Sequence, residues 1–177
     1  MIIVLNGPIN SGKTMVAKVL WEKIPDCAHI EVDKIREFVD WMENEPSWKM
    51  SFEIALQVAK GFIQRKLNVI ITYHISDKGF RQLERELKQL DPNIFAFTLK
   101  PVITSAITNR GKRELSEREV KRIKETYEQK SYDVNYGELI DNSFQTAQQT
   151  AEYIFDKVKG LIEEKSKYKR RNRNLYS

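Results

Sequence analysis

With a single cysteine, Cys27, among 177 residues, the chain can form neither an intrachain disulfide nor a cysteine-cluster metal site. That scarcity suits a reducing compartment, and Cys27 reads as core packing. Long apolar runs are missing too. None approaches the roughly 20 residues needed to span a bilayer, which argues against membrane insertion. The start of the chain has no basic lead and no small-residue cleavage site, but enters Ile2-Ile3-Val4-Leu5 at once, so the expected location is cytoplasmic. There is no internal repeat, and no long low-complexity stretch outside the last residues.

At this length one hydrophobic core is comfortable and two would be thin, so a single domain over residues 1–162 is expected. Apolar residues make up 41% and charged residues 31%, a balance that fits a globular chain with much helical surface. The formal charge of +5 is unevenly spread. Residues 161–177 hold six basic side chains against Glu163 and Glu164, and so carry four of the five net charges. The rest of the chain is close to neutral. Residues 163–177 therefore read as a solvated, frayed basic tail, with a nucleic-acid or lipid partner as its alternative use.

Short apolar runs alternate with longer stretches of helical period, the pattern of a parallel sheet with helices on both faces. The strands are expected at 2–6, 28–32, 68–72, 94–99 and 138–141. Helices are expected at 14–24, 34–43, 52–67, 77–90, 102–110, 116–129 and 146–162. In the last helix, Ala147, Ala151, Ile154, Phe155, Val158, Leu161 and Ile162 share one face and should dock on the sheet. Two segments interrupt the alternation: an aromatic stretch around Pro46, from Trp41 to Trp48, and a charged stretch around Gly111, from Arg110 to Arg118. Either would suit a mobile substrate-side element, or, more plainly, a surface corner and a solvated helix face.

Gly7-Pro8-Ile9-Asn10-Ser11-Gly12-Lys13-Thr14 satisfies G-x-x-x-x-G-K-[ST] at every fixed position, directly after an apolar strand and at the head of a helical stretch. Glycines let such a backbone curl so that its N–H groups point inward, and the helix that follows adds its positive end, which together make a polyphosphate site. Pro8 has no N–H, so the donors are expected from Asn10, Ser11, Gly12, Lys13 and Thr14. Lys13 is expected to reach the β- and γ-phosphates of ATP, and the Thr14 hydroxyl to ligate Mg²⁺.

Glu31-Val32-Asp33 alternates acid, apolar, acid at the end of the second strand, so an extended chain puts both carboxylates on one side. The carboxyl ends of a parallel sheet form its ligand crevice, which makes Glu31 and Asp33 candidate metal ligands beside Thr14. Asp33 is also the candidate base for an attacking hydroxyl; the plainer reading has it capping the next helix. Phosphoryl transfer relies on cations that neutralise the γ-phosphate, and Arg110 and Arg113, with Arg118 after them, stand where a closing segment at 110–118 would supply them. Arg36, one turn past Asp33, could face an acceptor.

On these residues the chain resembles the small P-loop kinases of the shikimate kinase, gluconate kinase and chloramphenicol phosphotransferase type. The likeness spans residues 1–160 in element order, and only the phosphate loop is specific. It implies a three-layer α/β/α P-loop kinase fold with a five-stranded parallel sheet ordered 2-3-1-4-5. It further implies an arginine lid, here Arg110 with Arg113 or Arg118, and adenine held between that lid and Asp141-Asn142-Ser143-Phe144, with Asn142 as a nucleotide contact. The implied activity is transfer of the γ-phosphoryl of ATP·Mg²⁺ to the hydroxyl of a small-molecule metabolite or antibiotic. The alternatives are a slow nucleotide-binding module and a kinase of polynucleotide ends. GTP is disfavoured, because no N-K-x-D sequence occurs. One departure stands out: the third strand ends Ile71-Thr72-Tyr73-His74, without the acidic residue or glycine-rich turn that many such kinases carry there. The metal site would then lean on Thr14, Glu31, Asp33 and the phosphates. His74 reads as an acceptor contact or a solvated loop residue, and His29 as packed and hydrogen-bonded.

Overall fold

The computed structural model describes residues 1–39, 41–108, 114–130 and 132–173, with side-chain surroundings through residue 163. Five parallel strands form one sheet: β1 (Ile2–Asn6), β2 (Cys27–Glu31), β3 (Asn68–Thr72), β4 (Ile94–Leu99) and β5 (Glu138–Ile140). Their order is β2-β3-β1-β4-β5. β1 lies at the centre, where Ile3 is flanked by Ile70 and Phe95, and Leu5 by Thr72 and Phe97. A central parallel strand is covered on both faces, which is why every residue of β1 is buried and its apolar run is unbroken.

The two faces have separate cores. Ile2, Val4, Val69 and Ile71 point to one side, where α3 (Asn44–Gln64) and α4 (Asp77–Leu87) bring Leu56, Ala59, Leu83 and Leu87. Ile3, Leu5, Ile70 and Phe97 point to the other, where α1 (Lys13–Lys23) and α7 (Ala147–Arg173) bring Val16, Leu20, Ile154 and Val158. Removing a side chain such as Ile154 or Val158 from water is worth about 1.5–3 kcal/mol. The face expected for the last helix therefore docks as foreseen. Its backbone, however, stays helical to Arg173, well past Ile162, so the tail begins as a continuation of α7.

Three elements differ from expectation. The helix expected at 34–43 is the single turn α2 (Val32–Arg36), followed by tight turns in which Phe38 N donates to Ile35 O and Val39 N to Arg36 O. Such i to i−3 bonds do not sustain a long helix. In contrast, α3 begins at Asn44 rather than 52 and takes in Pro46 and Trp48. Pro46 breaks nothing, because it sits in the first turn, where backbone N–H groups have no partner inside the helix. The helix expected at 102–110 is described only as α5 (Ile103–Ala106), while Arg110, Gly111 and Arg113 lie outside the described residues.

The next helix, α6 (Glu117–Glu128), starts with a capping box. Glu119 N donates to Ser116 Oγ at 3.3 Å, and Ser116 N donates to Glu119 Oε2 at 3.0 Å. Such a cap is worth about 1 kcal/mol and fixes where the segment between α5 and α6 must end. Among the described residues, no helix is long and apolar enough to cross a membrane.

Candidate phosphate-transfer site

The loop from Gly7 to Gly12 joins the carboxyl end of β1 to α1 at the point where the strand order departs to opposite sides of β1, toward β3 and β2 on one side and β4 and β5 on the other. In a parallel sheet that switch point is the natural crevice. The loop's curl rests on three residues of positive φ: Gly7 (140°), Asn10 (60°) and Gly12 (92°). Gly7 is also sterically required. A Cβ there would lie 2.3 Å from the Leu99 carbonyl oxygen and 2.8 Å from Ser11 Oγ. No side chain caps the N-terminus of α1, which leaves its first N–H groups for a ligand.

The site's charged groups are held close. Lys13 Nζ donates to the carbonyls of Gly7 and Pro8, both at 2.8 Å, so the ammonium lies back across the loop. Thr14 Oγ1 donates to Glu31 Oε1 at 2.8 Å, which joins the head of α1 to the end of β2. Ser11 N is turned onto Pro8 O at 3.3 Å, so this amide, expected as a phosphate donor, is engaged inside the loop. The Ser11 hydroxyl is fully buried within the loop and has no hydrogen-bond partner.

Mg²⁺ keeps several waters and takes one or two protein oxygens along with those of a polyphosphate. No group of three or more His, Cys, Asp or Glu that could hold a metal alone occurs among the described residues. The Thr14–Glu31 pair is thus the donor set that fits: two hard oxygens beside a loop with an unspent hydroxyl. Asp33 is placed differently from expectation. The chain turns helical at Val32, so the strand alternation ends at Glu31, and Asp33 stands exposed in the first turn of α2. Its charge reaches the Tyr73 phenol. Burial pushes that phenol up to about 12, Asp33 adds to the rise, and Arg36 and Arg122 oppose it. The two acids therefore divide, Glu31 bonded to the head of α1 and Asp33 on the first turn of α2.

Several supporting residues carry no motif signal. Asn6, fully buried, donates through Nδ2 to Thr98 Oγ1 at 3.1 Å and accepts from Ile75 N at 2.9 Å, tying the ends of β4 and β3 to β1 beneath the loop. Asn10 Nδ2 donates to the carbonyls of Ala106 at 2.8 Å and Thr108 at 3.1 Å, so the loop holds the start of the segment expected to form a lid. A polar residue in a positive-φ position was the one available hint at Asn10. Asn142, expected to touch the nucleotide, is buried and donates to Ser11 O at 2.8 Å. It braces the loop from behind. After β5, Ser143 N and Oγ both donate to the Asp141 carboxylate, which lowers the carboxyl's pKa, and Ser143 Oγ accepts from Val102 N at 2.7 Å.

At the end of β3, Thr72 takes the place of an acid and faces His29, with Oγ1 and Nε2 3.0 Å apart. His29 is thus packed and hydrogen-bonded as foreseen. Its burial lowers the imidazole pKa against the opposing Glu31 carboxylate. His74 is exposed. Of the candidate lid arginines, Arg118 is exposed in the first turn of α6, while Arg110 and Arg113 lie outside the described residues.

No protein-family model and no curated protein matches the chain. Solved structures do. The tunicamycin resistance protein of Deinococcus radiodurans is 24% identical with a TM-score of 0.59, over 89% of this chain and 94% of that one. The shikimate kinase of Acinetobacter baumannii, in complex with shikimate, is 18% identical with a TM-score of 0.64, over 90% and 93%. A sugar kinase from Janibacter is 14% identical with a TM-score of 0.62, over 88% and 92%. At these identities the likeness is one of fold. The chain has the fold of the P-loop kinases, with the sheet order that the resemblance implied.

Proposed function

We propose that the chain is a phosphotransferase that moves the γ-phosphoryl group of ATP·Mg²⁺ to a hydroxyl of a small molecule. The observation that carries this reading is the positive-φ loop over an uncapped α1, with Lys13 Nζ already lying across it and Thr14 bonded to Glu31. Kinases with the same fold support it.

In this reading the triphosphate draws Lys13 Nζ from the Gly7 and Pro8 carbonyls, exchanging two neutral acceptors for charged ones. The amides at the head of α1 and the Ser11 hydroxyl complete the cradle. Thr14 and Glu31 would hold Mg²⁺, which when bound neutralises charge on the β- and γ-oxygens. Asp33 orients the acceptor hydroxyl and takes its proton. As the acceptor oxygen bonds to the γ-phosphorus, the bond from that phosphorus to the β–γ bridging oxygen breaks and ADP leaves. Arg110 and Arg113, from the resemblance, would meet the charge spreading over the transferred group. Phe144, 94% exposed beyond β5, offers a ring for the adenine.

Calorimetric titration with ATP·Mg²⁺, followed by ADP release over hydroxylated metabolites, nucleosides and antibiotics, tests the reading. Lys13→Ala should abolish nucleotide binding or turnover. Asp33→Asn should keep ATP binding and lose transfer by about a hundredfold or more, the value of a positioned acid–base group. Absence of adenine-nucleotide binding overturns the whole reading, and retained transfer in Asp33→Asn removes that residue from it.

A further inference from the structure

The outer face of α4 and the far end of α7 carry charge that phosphate transfer does not use. α4 runs from the carboxyl end of β3 to the amino end of β4, and at steps of three and four residues it places Lys78, Arg81, Arg85 and Lys88 on one exposed face. At 1.5 Å per residue that row is about 15 Å long. An open groove of about 530 Å³ follows it, lined by Arg81, Glu84, Arg85, Lys88 and Gln89.

The other acids of α4 are engaged elsewhere. Glu86 accepts from Lys60 Nζ at 2.8 Å and Gln82 Nε2 at 3.1 Å, and Asp77 accepts from Asn135 N and Nδ2, both at 2.8 Å. Glu84 stands 3.9 Å from Lys88 Nζ, while Lys78, Arg81 and Arg85 make no hydrogen bond or ion pair among the described residues. Helix stability does not account for the row. Cations favour the last turn of a helix, whereas Lys78 stands in the first, where the macrodipole opposes it.

α7 adds a second element at the amino edge of the sheet. Its Phe155 is level with the last turn of α1, where Lys23 Nζ lies 5.0 Å over the ring, and Leu161 and Ile162 are its last residues packed on the core. The backbone stays helical to Arg173, roughly 16 Å further. Lys165, Lys167, Lys169, Arg170, Arg171 and Arg173 fall in that overhang, at positions that 100° steps distribute around the whole axis rather than along one face.

A lipid surface calls for an apolar face beside the charge, and neither the row nor the sequence of the overhang supplies one. A nucleic-acid strand in a duplex presents one charge per 3.4 Å of axis, so a 15 Å row spans about four phosphates. A helix with basic positions all round it suits a groove walled by phosphates on both sides. We propose that the basic row of α4 and the overhang of α7 bind the phosphodiester backbone of a nucleic acid, a duplex in preference to a single strand. The bound polymer is a docking partner and not the phosphate acceptor, and the proposal stands independently of the kinase reading.

The test is fluorescence anisotropy of the full chain with labelled duplex DNA, duplex RNA and single-stranded DNA of about 20 nucleotides, over about 50–200 mM salt. Polyglutamate and phosphatidylserine vesicles are the other polyanions. At least one duplex should bind more tightly than the single strand, polyglutamate and vesicles, with log K falling against log salt at a slope of about −3 or steeper. The stronger duplex tells DNA from RNA, and either one supports the proposal. Arg81→Gln, Arg85→Gln and Lys88→Gln together should make the slope shallower by roughly two to three units. Deleting residues 163–177 should weaken duplex binding about tenfold or more. Lys18→Gln, Lys121→Gln and Lys124→Gln together remove as much charge from exposed positions elsewhere and should change the slope by less than about one unit. All six substituted side chains are exposed, so an unchanged melting temperature shows that both triple variants fold. Equal loss in the two triple variants, equal or tighter binding of the single strand, polyglutamate or vesicles, or no duplex binding at about 100 μM protein in low salt overturns the proposal.

Discussion

Adding one methyl group at two glycines should have opposite effects, and the structure sets both signs. In Gly7→Ala the new Cβ would stand 2.3 Å from the Leu99 carbonyl oxygen, itself part of the buried end of β4, and 2.8 Å from Ser11 Oγ. Backbone cannot swing aside as a flexible side chain would, so loop and strand must part by about 1 Å to restore ordinary contact. Overpacking of this kind costs about 1–3 kcal/mol, and a side chain at a φ of 140° adds about 1–2 kcal/mol more. At about 2–4 °C per kcal/mol for a chain of this size, the melting temperature should fall by roughly 5–20 °C. Nucleotide affinity should fall with it, because the displaced atoms form the cradle. Gly61→Ala is the matched control. It lies inside α3, where a Cβ would meet only Arg65 Nη1 at 3.8 Å, and should raise stability by about 0.5–1 kcal/mol. Differential scanning calorimetry and ATP titration on both variants check the pair. A Gly7→Ala protein that melts within a degree or two of wild type and still binds ATP·Mg²⁺ normally would refute the steric account of the loop.

Asn10→Ala should cost about 1–3 kcal/mol, since it strips the Ala106 and Thr108 carbonyls of their donor and leaves a Cβ at positive φ; Asn10→Gly removes the second part, and unfolding of the two variants separates the effects. The Glu86 carboxyl is held below its ordinary 4.5 by the Lys60 ammonium at 2.8 Å, against the opposing effect of burial. Its folded pKa is the lower one, so its stabilisation is present above pH 4.5 and fades as pH falls through the folded value. Glu86→Gln should therefore lose up to about 1 kcal/mol at neutral pH and nothing well below pH 4.5, and a constant gap in urea titrations would contradict this. Deleting residues 163–177 should leave ADP release with small acceptors intact, whereas a kinase of polynucleotide ends would lose affinity and much of its salt dependence.

The sequence alone determined the sheet and the position of the phosphate loop. Strands β1, β3 and β4 are legible because a strand covered on both faces must be apolar throughout, and the loop is legible because its glycines answer a local backbone requirement. Local signals also marked the start of α6, where Ser116 and Glu119 cap each other. They failed between residues 32 and 52, where the alternation of Glu31 and Asp33 suggested a longer strand and Pro46 a break. Whether a proline ends a helix or begins one depends on which N–H groups already lack partners, and the surrounding packing decides that. Only the tertiary structure could set Asn142 against Ser11 O, 131 positions away, or bring Arg122 over Trp48. Contacts of this kind depend on how helices pack across the sheet, and no spacing along the chain encodes that arrangement.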